Sequence, residues 1–202
     1  MARENDAKER LLRTASDLIW QSSYGSVGVE KICERAGVQK GSFYHFFPSK
    51  SDLAIAAAED HWAKNLADKE RVFAAELPPL DRLVGWCDLI RRNQARRAEK
   101  FGKVLGCPYS SMGSELSTQD EKVRRKCQEM AERICAFVEA AVRAAQRESL
   151  VAKGNAAEKA RELYSFASGV VLQAKIDNDL RVLERLKPGV FRLLEVREPA
   201  RR

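Results

Sequence analysis

The chain has 202 residues, 45% of them hydrophobic and 32% charged, with a formal net charge of +7. That is enough apolar chain to bury the core of one ordinary domain, or of a small domain followed by a larger one, and the mixed charges suit solvated helix faces rather than a disordered tail. The basic balance favours a polyanionic partner only weakly, because many basic proteins bind no nucleic acid.

Helix follows helix along the chain, with glycine and proline between the periodic segments. Leu12, Ala15, Leu18 and Ile19 mark one face of a first helix from about Asp6 to Gln21. Ser22–Gly28 reads as a turn. Val29, Ile32, Cys33 and Ala36 sit at i, i+3, i+4 and i+7, which predicts a two-turn helix over Val29–Ala36. Gly37 ends it in the left-handed conformation that glycine adopts at little cost. A short third helix around Lys40–Phe46 follows, with Phe43, Phe46 and Phe47 on one face. Pro48 stops the chain, and Ser49-Lys50-Ser51-Asp52 reads as a helix cap opening a long helix to about Glu76. Pro78-Pro79 breaks that helix. Further helices are expected over about Leu80–Glu99, Thr118–Leu150 and Ala156–Asn178, with a Gly-rich break at Gly102–Gly113. A last segment ends near Leu194, interrupted by Pro188-Gly189.

Val29–Phe47 has the grammar of a helix-turn-helix. The apolar stripes of both short helices pack on the first helix, leaving the opposite face of the third free to enter a major groove. That face carries Gln39, Lys40, Ser42, Tyr44 and His45. Gln39 and Ser42 suit phosphates or base edges, Lys40 brings a point charge, and Tyr44 and His45 suit phosphate contacts. Gly28, Ser49 and Lys50 stand where adjoining helices begin, and free backbone N–H groups there attract phosphate. Phe43, Phe46 and Phe47 are expected to be core.

The stretch RLLRTASDLIWQSSYGSVGVEKICERAGVQKGSFYHFFPSKSDLAIAA resembles the DNA-binding domain of TetR-family transcriptional regulators over roughly residues 8–60. The segments ICERAGVQKGSFYHFF and PSKSDL follow the family pattern almost position by position. Gly28 stands where the family usually has Thr, and Gln39 where it usually has Ser or Thr. The resemblance implies an all-α homodimer: a three-helix helix-turn-helix domain, placed at residues 1–52, and a larger helical effector-binding and dimerisation domain at 53–202. It also implies a repressor on a palindromic double-stranded operator, released by a small-molecule effector, with the last two long helices of each subunit pairing into a four-helix bundle.

Within the larger unit, Leu163, Phe166, Ala167, Val170 and Ala174 share one helical face with small residues at its middle. They suit either a helix–helix interface or ordinary intrachain core; Leu183, Leu186, Val190, Phe191 and Leu194 would supply the partner helix. Cys107, after Gly106 and before Pro108, sits at an expected helix start near Arg96, Arg97, Lys100 and Lys103, a setting that favours thiolate. Some TetR-type regulators with Gly-Cys at this point look similar and respond to electrophiles or oxidants. The alternative is a buried, inert thiol. Trp62, Trp86, Phe101, Tyr109, Met112, Met130 and Phe166 are candidates to line an apolar effector pocket, or are core.

The five cysteines, Cys33, Cys87, Cys107, Cys127 and Cys135, form no CxxC pair, and the histidines are only His45 and His61, so neither a metal site nor a cofactor is expected. No GxSxG, HExxH or P-loop suggests an enzyme. Residues 1–10 lack the apolar stretch of a signal peptide and no run approaches the ~20 apolar residues of a membrane span, so a cytoplasmic regulator is expected. A DNA-binding protein without an effector is the remaining alternative, separable by ligand-dependent loss of operator binding.

Overall fold

The computed structural model describes residues 2–196, and every regular element among them is helical. The helices are α1 (Ala2–Gln21), α2 (Val29–Ala36), α3 (Lys40–Phe46), α4 (Lys50–Lys64), α5 (Leu66–Val72), α6 (Pro79–Phe101), α7 (Pro108–Leu116), α8 (Glu121–Arg147), α9 (Ala156–Asp177) and α10 (Leu186–Leu193), with a 3-10 turn at Leu180–Arg185 before α10. None of the described helices is long and apolar enough to cross a membrane.

By their contacts the helices group into two compact units, and the division falls elsewhere than residue 52. The first unit runs through Leu66 and includes Pro108–Glu129; the second holds Ala67–Cys107 and the described residues from Met130 onward. Whole α4, α7 and the start of α8 thus cluster with α1–α3.

In the first unit, Leu11, Ala15, Ile32, Phe43 and Leu53 are fully buried in one core, so the stripes of α1, α2 and α3 meet as their periodicity requires. Gly37 closes α2 at φ +62°, its N–H donating to the carbonyls of Cys33 and Glu34. The expected long helix from Ser49 breaks at Asn65. There the side-chain amide donates to the His61 carbonyl at 2.7 Å, competing with the backbone ladder, and the backbone leaves helical geometry at ψ 8°.

In the second unit, α6, α8, α9 and α10 enclose a core that includes Leu83, Val138, Leu163, Ala167, Ala174, Leu186 and Val190. This corrects the interface reading of α9. Leu163, Ala167, Val170 and Ala174 are buried within the protomer, as are Leu183, Leu186, Val190 and Leu194, because the 3-10 turn and α10 fold back on that face of α9. What α9 leaves in solvent is another stripe at helical spacing: Ser165, Gly169, Leu172 and Ile176. Pro188-Gly189 does not interrupt the last segment either. Pro188 lies in the first turn of α10, where no intrahelical donor is lost. A Cβ at Gly189 would overlap the Phe166 ring, so the absent side chain is the space that ring occupies.

Candidate nucleic-acid interface and sensor loop

Helix α3 is anchored by Phe43, which is fully buried, and by Phe47; Phe46 is half-buried. That inward face turns the rest outward. Gln39, Lys40, Ser42, Tyr44 and His45 are all exposed, Tyr44 by 50%, with its ring edge-on to Phe43 at 5.1 Å. Lys40 is the one charged residue of the face, and its ammonium is paired with Glu30 Oε1 of α2 at 2.9 Å. The hydrogen bond raises the pKa of Lys40 and lowers that of Glu30.

Gly28 precedes α2 as an exposed N-cap without a side-chain bond. Ser49 caps α4: its hydroxyl accepts from the Asp52 N–H and donates to the Asp52 carboxylate at 2.6 Å, holding that carboxyl below the usual range. The Lys50 ammonium points back into the α1–α2 turn, donating to the carbonyls of Tyr24 at 2.9 Å and Val27 at 3.0 Å and standing 3.9 Å over the Tyr24 ring. Burial lowers its pKa. Lys50 therefore fixes the turn with its side chain, and what it offers outward is its place at a helix start.

The loop bearing Cys107 lies in the second unit. Val104, Leu105 and Gly106 are buried, and Cys107 is half-buried. The loop is held by its backbone. Buried Gln94 of α6 reads both polar groups of Gly106, donating to its carbonyl at 3.0 Å and accepting from its N–H at 3.1 Å. The Asn178 side chain accepts from Val104 N–H at 2.9 Å. Gly106 takes φ +78°, and a Cβ there would lie 3.0 Å from the Lys175 stem. Of the cations expected nearby, Arg97 reaches the Gly106 carbonyl at 3.4 Å. Lys69, whose pKa is lowered chiefly by burial, also senses the charges of Asp68 and Arg97.

This arrangement, two short helices joined through a left-handed glycine with a polar face turned outward, has known counterparts. The family model described as "Bacterial regulatory proteins, tetR family" matches residues 11–57, and "Tetracyclin repressor-like, C-terminal domain" matches residues 79–190. The chain belongs to the TetR family. Among TetR-family relatives, the HTH-type transcriptional repressor NemR of Escherichia coli K12 is 27% identical over 183 residues, covering 90% of each chain. The transcriptional regulator AcuR of Cereibacter sphaeroides is 32% identical over 120 residues, 58% of this chain and 52% of AcuR. The crystal structure of E. coli NemR in its reduced form superposes with a TM-score of 0.81 at 26% identity, covering 97% of this chain and 100% of that one. Membership of the TetR family makes this chain a transcriptional regulator and not an enzyme.

The effector-pocket candidates fall in both units. Trp62, Tyr109 and Met112 are buried in the first unit; Trp86, Phe101, Met130 and Phe166 belong to the second. Tyr109 and Met112 wall a cavity of about 20 Å³ with Trp20 and Ala58, room for little more than a water molecule. A wider hollow of about 450 Å³ in the second unit is lined by none of these candidates but by charged Asp88, Arg91, Arg92, Arg181 and Glu184 together with apolar Ala95, Leu180 and Leu183. Sequence reasoning missed Gln94, Lys69 and Lys175 as neighbours of the Cys107 loop. No local motif could have revealed them, because each reaches the loop from another helix.

Proposed function

We propose that this TetR-family regulator is a repressor that binds a palindromic operator as a homodimer, reads it with α3, and is released when Cys107 is modified. The outward face of α3 is the observation that supports operator reading best. Gln39, Lys40, Ser42, Tyr44 and His45 stand in solvent on a helix whose other face is locked into the core, which is the form a groove-reading helix takes. Exposed Gly28 before α2 and the partly exposed start of α4 serve the flanking phosphates.

The second copy of the chain would cover the Ser165–Gly169–Leu172–Ile176 stripe of α9. Leu172 and Ile176 are large apolar side chains in solvent, and small residues one and two turns away let a second helix approach closely. Two α3 helices related by a two-fold axis call for two inverted half-sites.

The thiol reading rests on contrast among the cysteines. Burial pushes the Cys33 and Cys135 thiols up, and Cys87 up to about 12, which disfavours their thiolates. Cys107 is half-buried and next to the start of α7, in a loop whose Gly106 carbonyl accepts from Arg97. A relative described in a reduced form accords with a redox-sensitive member of the family. DNA selected from random duplexes by the full chain should contain inverted repeats. N-ethylmaleimide should label Cys107 ahead of Cys33, Cys87, Cys127 and Cys135 and lower affinity for that DNA, while Cys107→Ser should keep its affinity after treatment. If Cys107→Ser still lets go of DNA on treatment, the sensor is elsewhere.

A further inference from the structure

The α1–α2 turn, which determines where α2 and then α3 begin, is held from both polar sides. Its carbonyls at Tyr24 and Val27 take the Lys50 ammonium. Its amides take a carboxylate from far along the chain: Tyr24 N–H donates to Glu115 Oε2 at 2.9 Å, and Gly25 N–H to Glu115 Oε1 at 2.6 Å. Both oxygens of Glu115, in the last turn of α7, are thus spent on two successive peptide groups. Charge-assisted bonds of this kind are among the stronger ones in proteins.

A second tie lies beside the first. Asp120 caps α8 with Oδ1, accepting from Lys122 and Val123 N–H, while Oδ2 accepts from the Ser51 hydroxyl of α4 at 2.5 Å. Ser51 has one proton and gives it to Asp120, so the Tyr24 hydroxyl, 3.0 Å away, must be the donor to Ser51. Lys122 pairs with Asp52 at 3.4 Å and Lys126 with Glu59 at 2.7 Å. The α7–α8 corner therefore grips the α1–α2 turn and α4 through polar groups. The gripping segment, Pro108–Glu129, is joined by its first peptide bond to Cys107.

We propose that Glu115 is a positioning residue for operator binding, and that its release from the Tyr24 and Gly25 amides is the step by which a change at Cys107 reaches α3. This rests on the operator-binding and thiol readings above. An adduct on Cys107 displaces Pro108; α7 carries the displacement to Glu115; the turn loses its carboxylate, and α2 and α3 lose their fixed position.

Two variants of the full chain test this. Glu115→Gln replaces one accepting oxygen by a donor that faces an N–H. Gly25→Ala puts a Cβ 2.9 Å from Glu115 Oε1, the tip of a flexible side chain, so the carboxylate swings away while the core is untouched. The probe is a duplex selected by the wild-type protein, and the reagent is N-ethylmaleimide. In both reduced variants, amide exchange at Tyr24 and Gly25 should quicken about tenfold or more, and affinity for the duplex should fall about tenfold. Alkylation should then lower affinity by less than about twofold further. The melting temperature of Gly25→Ala and the labelling rate of Cys107 should match wild type. Unchanged exchange in both variants, or a full alkylation response in either, overturns the proposal. If wild-type protein does not respond to alkylation, the thiol reading fails on its own. The positioning role of Glu115 is then decided by exchange and reduced-state affinity.

Discussion

Replacing Leu172 and Ile176 together by serine should separate the subunits without unfolding them. Fully covering a leucine or isoleucine side chain is worth ~1.5–3 kcal/mol. Leu172 is 53% and Ile176 67% exposed, so covering the remainder contributes roughly 1–2 kcal/mol each. A two-fold interface doubles the count, giving roughly 4–7 kcal/mol for the pair of protomers, or about three to five powers of ten in the dimer dissociation constant. Sedimentation velocity across nanomolar to micromolar concentrations measures that constant directly. The double variant should sediment as a monomer where the parent is a dimer, with unchanged helical circular dichroism, because neither side chain is part of the protomer core. Its operator affinity should drop as well, since two half-site contacts are no longer joined. A variant that dimerises as tightly as the parent would refute the assignment of this stripe of α9.

Lys40→Ala should weaken operator binding and reduce its salt dependence by about one counterion. Glu30→Gln should do the opposite, strengthening binding severalfold in a fluorescence-anisotropy titration, since it frees Lys40 and removes a carboxylate from the groove side. Gly189→Ala should lower the melting temperature by several degrees despite better helix propensity, because the Phe166 ring must move, an overpacking cost of ~1–3 kcal/mol; an equal or higher melting temperature would contradict the packing of α9 on α10. Asp52 and Asp120 have pKa values lowered chiefly by the hydroxyls of Ser49 and Ser51. A carboxyl depressed on folding stabilises above its unfolded value of ~3.9, and that stability is lost as pH falls through the lower folded value. Acid melts monitored by amide exchange should therefore show α4 and the α7–α8 corner loosening below about pH 4, with a shallower pH slope in Ser51→Ala.

The helix-turn-helix was legible because its determinants are local: an apolar stripe at i, i+3, i+4 and i+7, and a glycine that must turn left-handed at 37. Where a feature depended on what a helix packs against, the sequence was ambiguous. The stripe through Leu163, Ala167 and Val170 is apolar whether it meets a second subunit or α10, and α10 wins because Gly189 admits the Phe166 ring. Asn65 gave no periodic signal, since the break comes from its own side chain bonding to His61. Lys50 was legible as a helix start, but the partners of its ammonium, the carbonyls of Tyr24 and Val27, lie more than twenty positions back and carry no local signal. Glu115 and Gln94 look like any polar residues on a helix, and each owes its role to a backbone segment that the fold brings to it.

Because the first unit includes Pro108–Glu129 as well as everything through Leu66, it is not a module that one crossover can transplant. Joining the leading helices of this chain to the effector domain of another family member would leave Tyr24 and Gly25 facing a foreign α7–α8 corner. Chimeras that exchange DNA specificity should therefore move the corner together with the leading helices, taking two exchanges rather than one. In lineages that recombine these parts, residues 24, 25 and 51 are expected to travel with 115 and 120, although some ninety and seventy positions separate them in sequence.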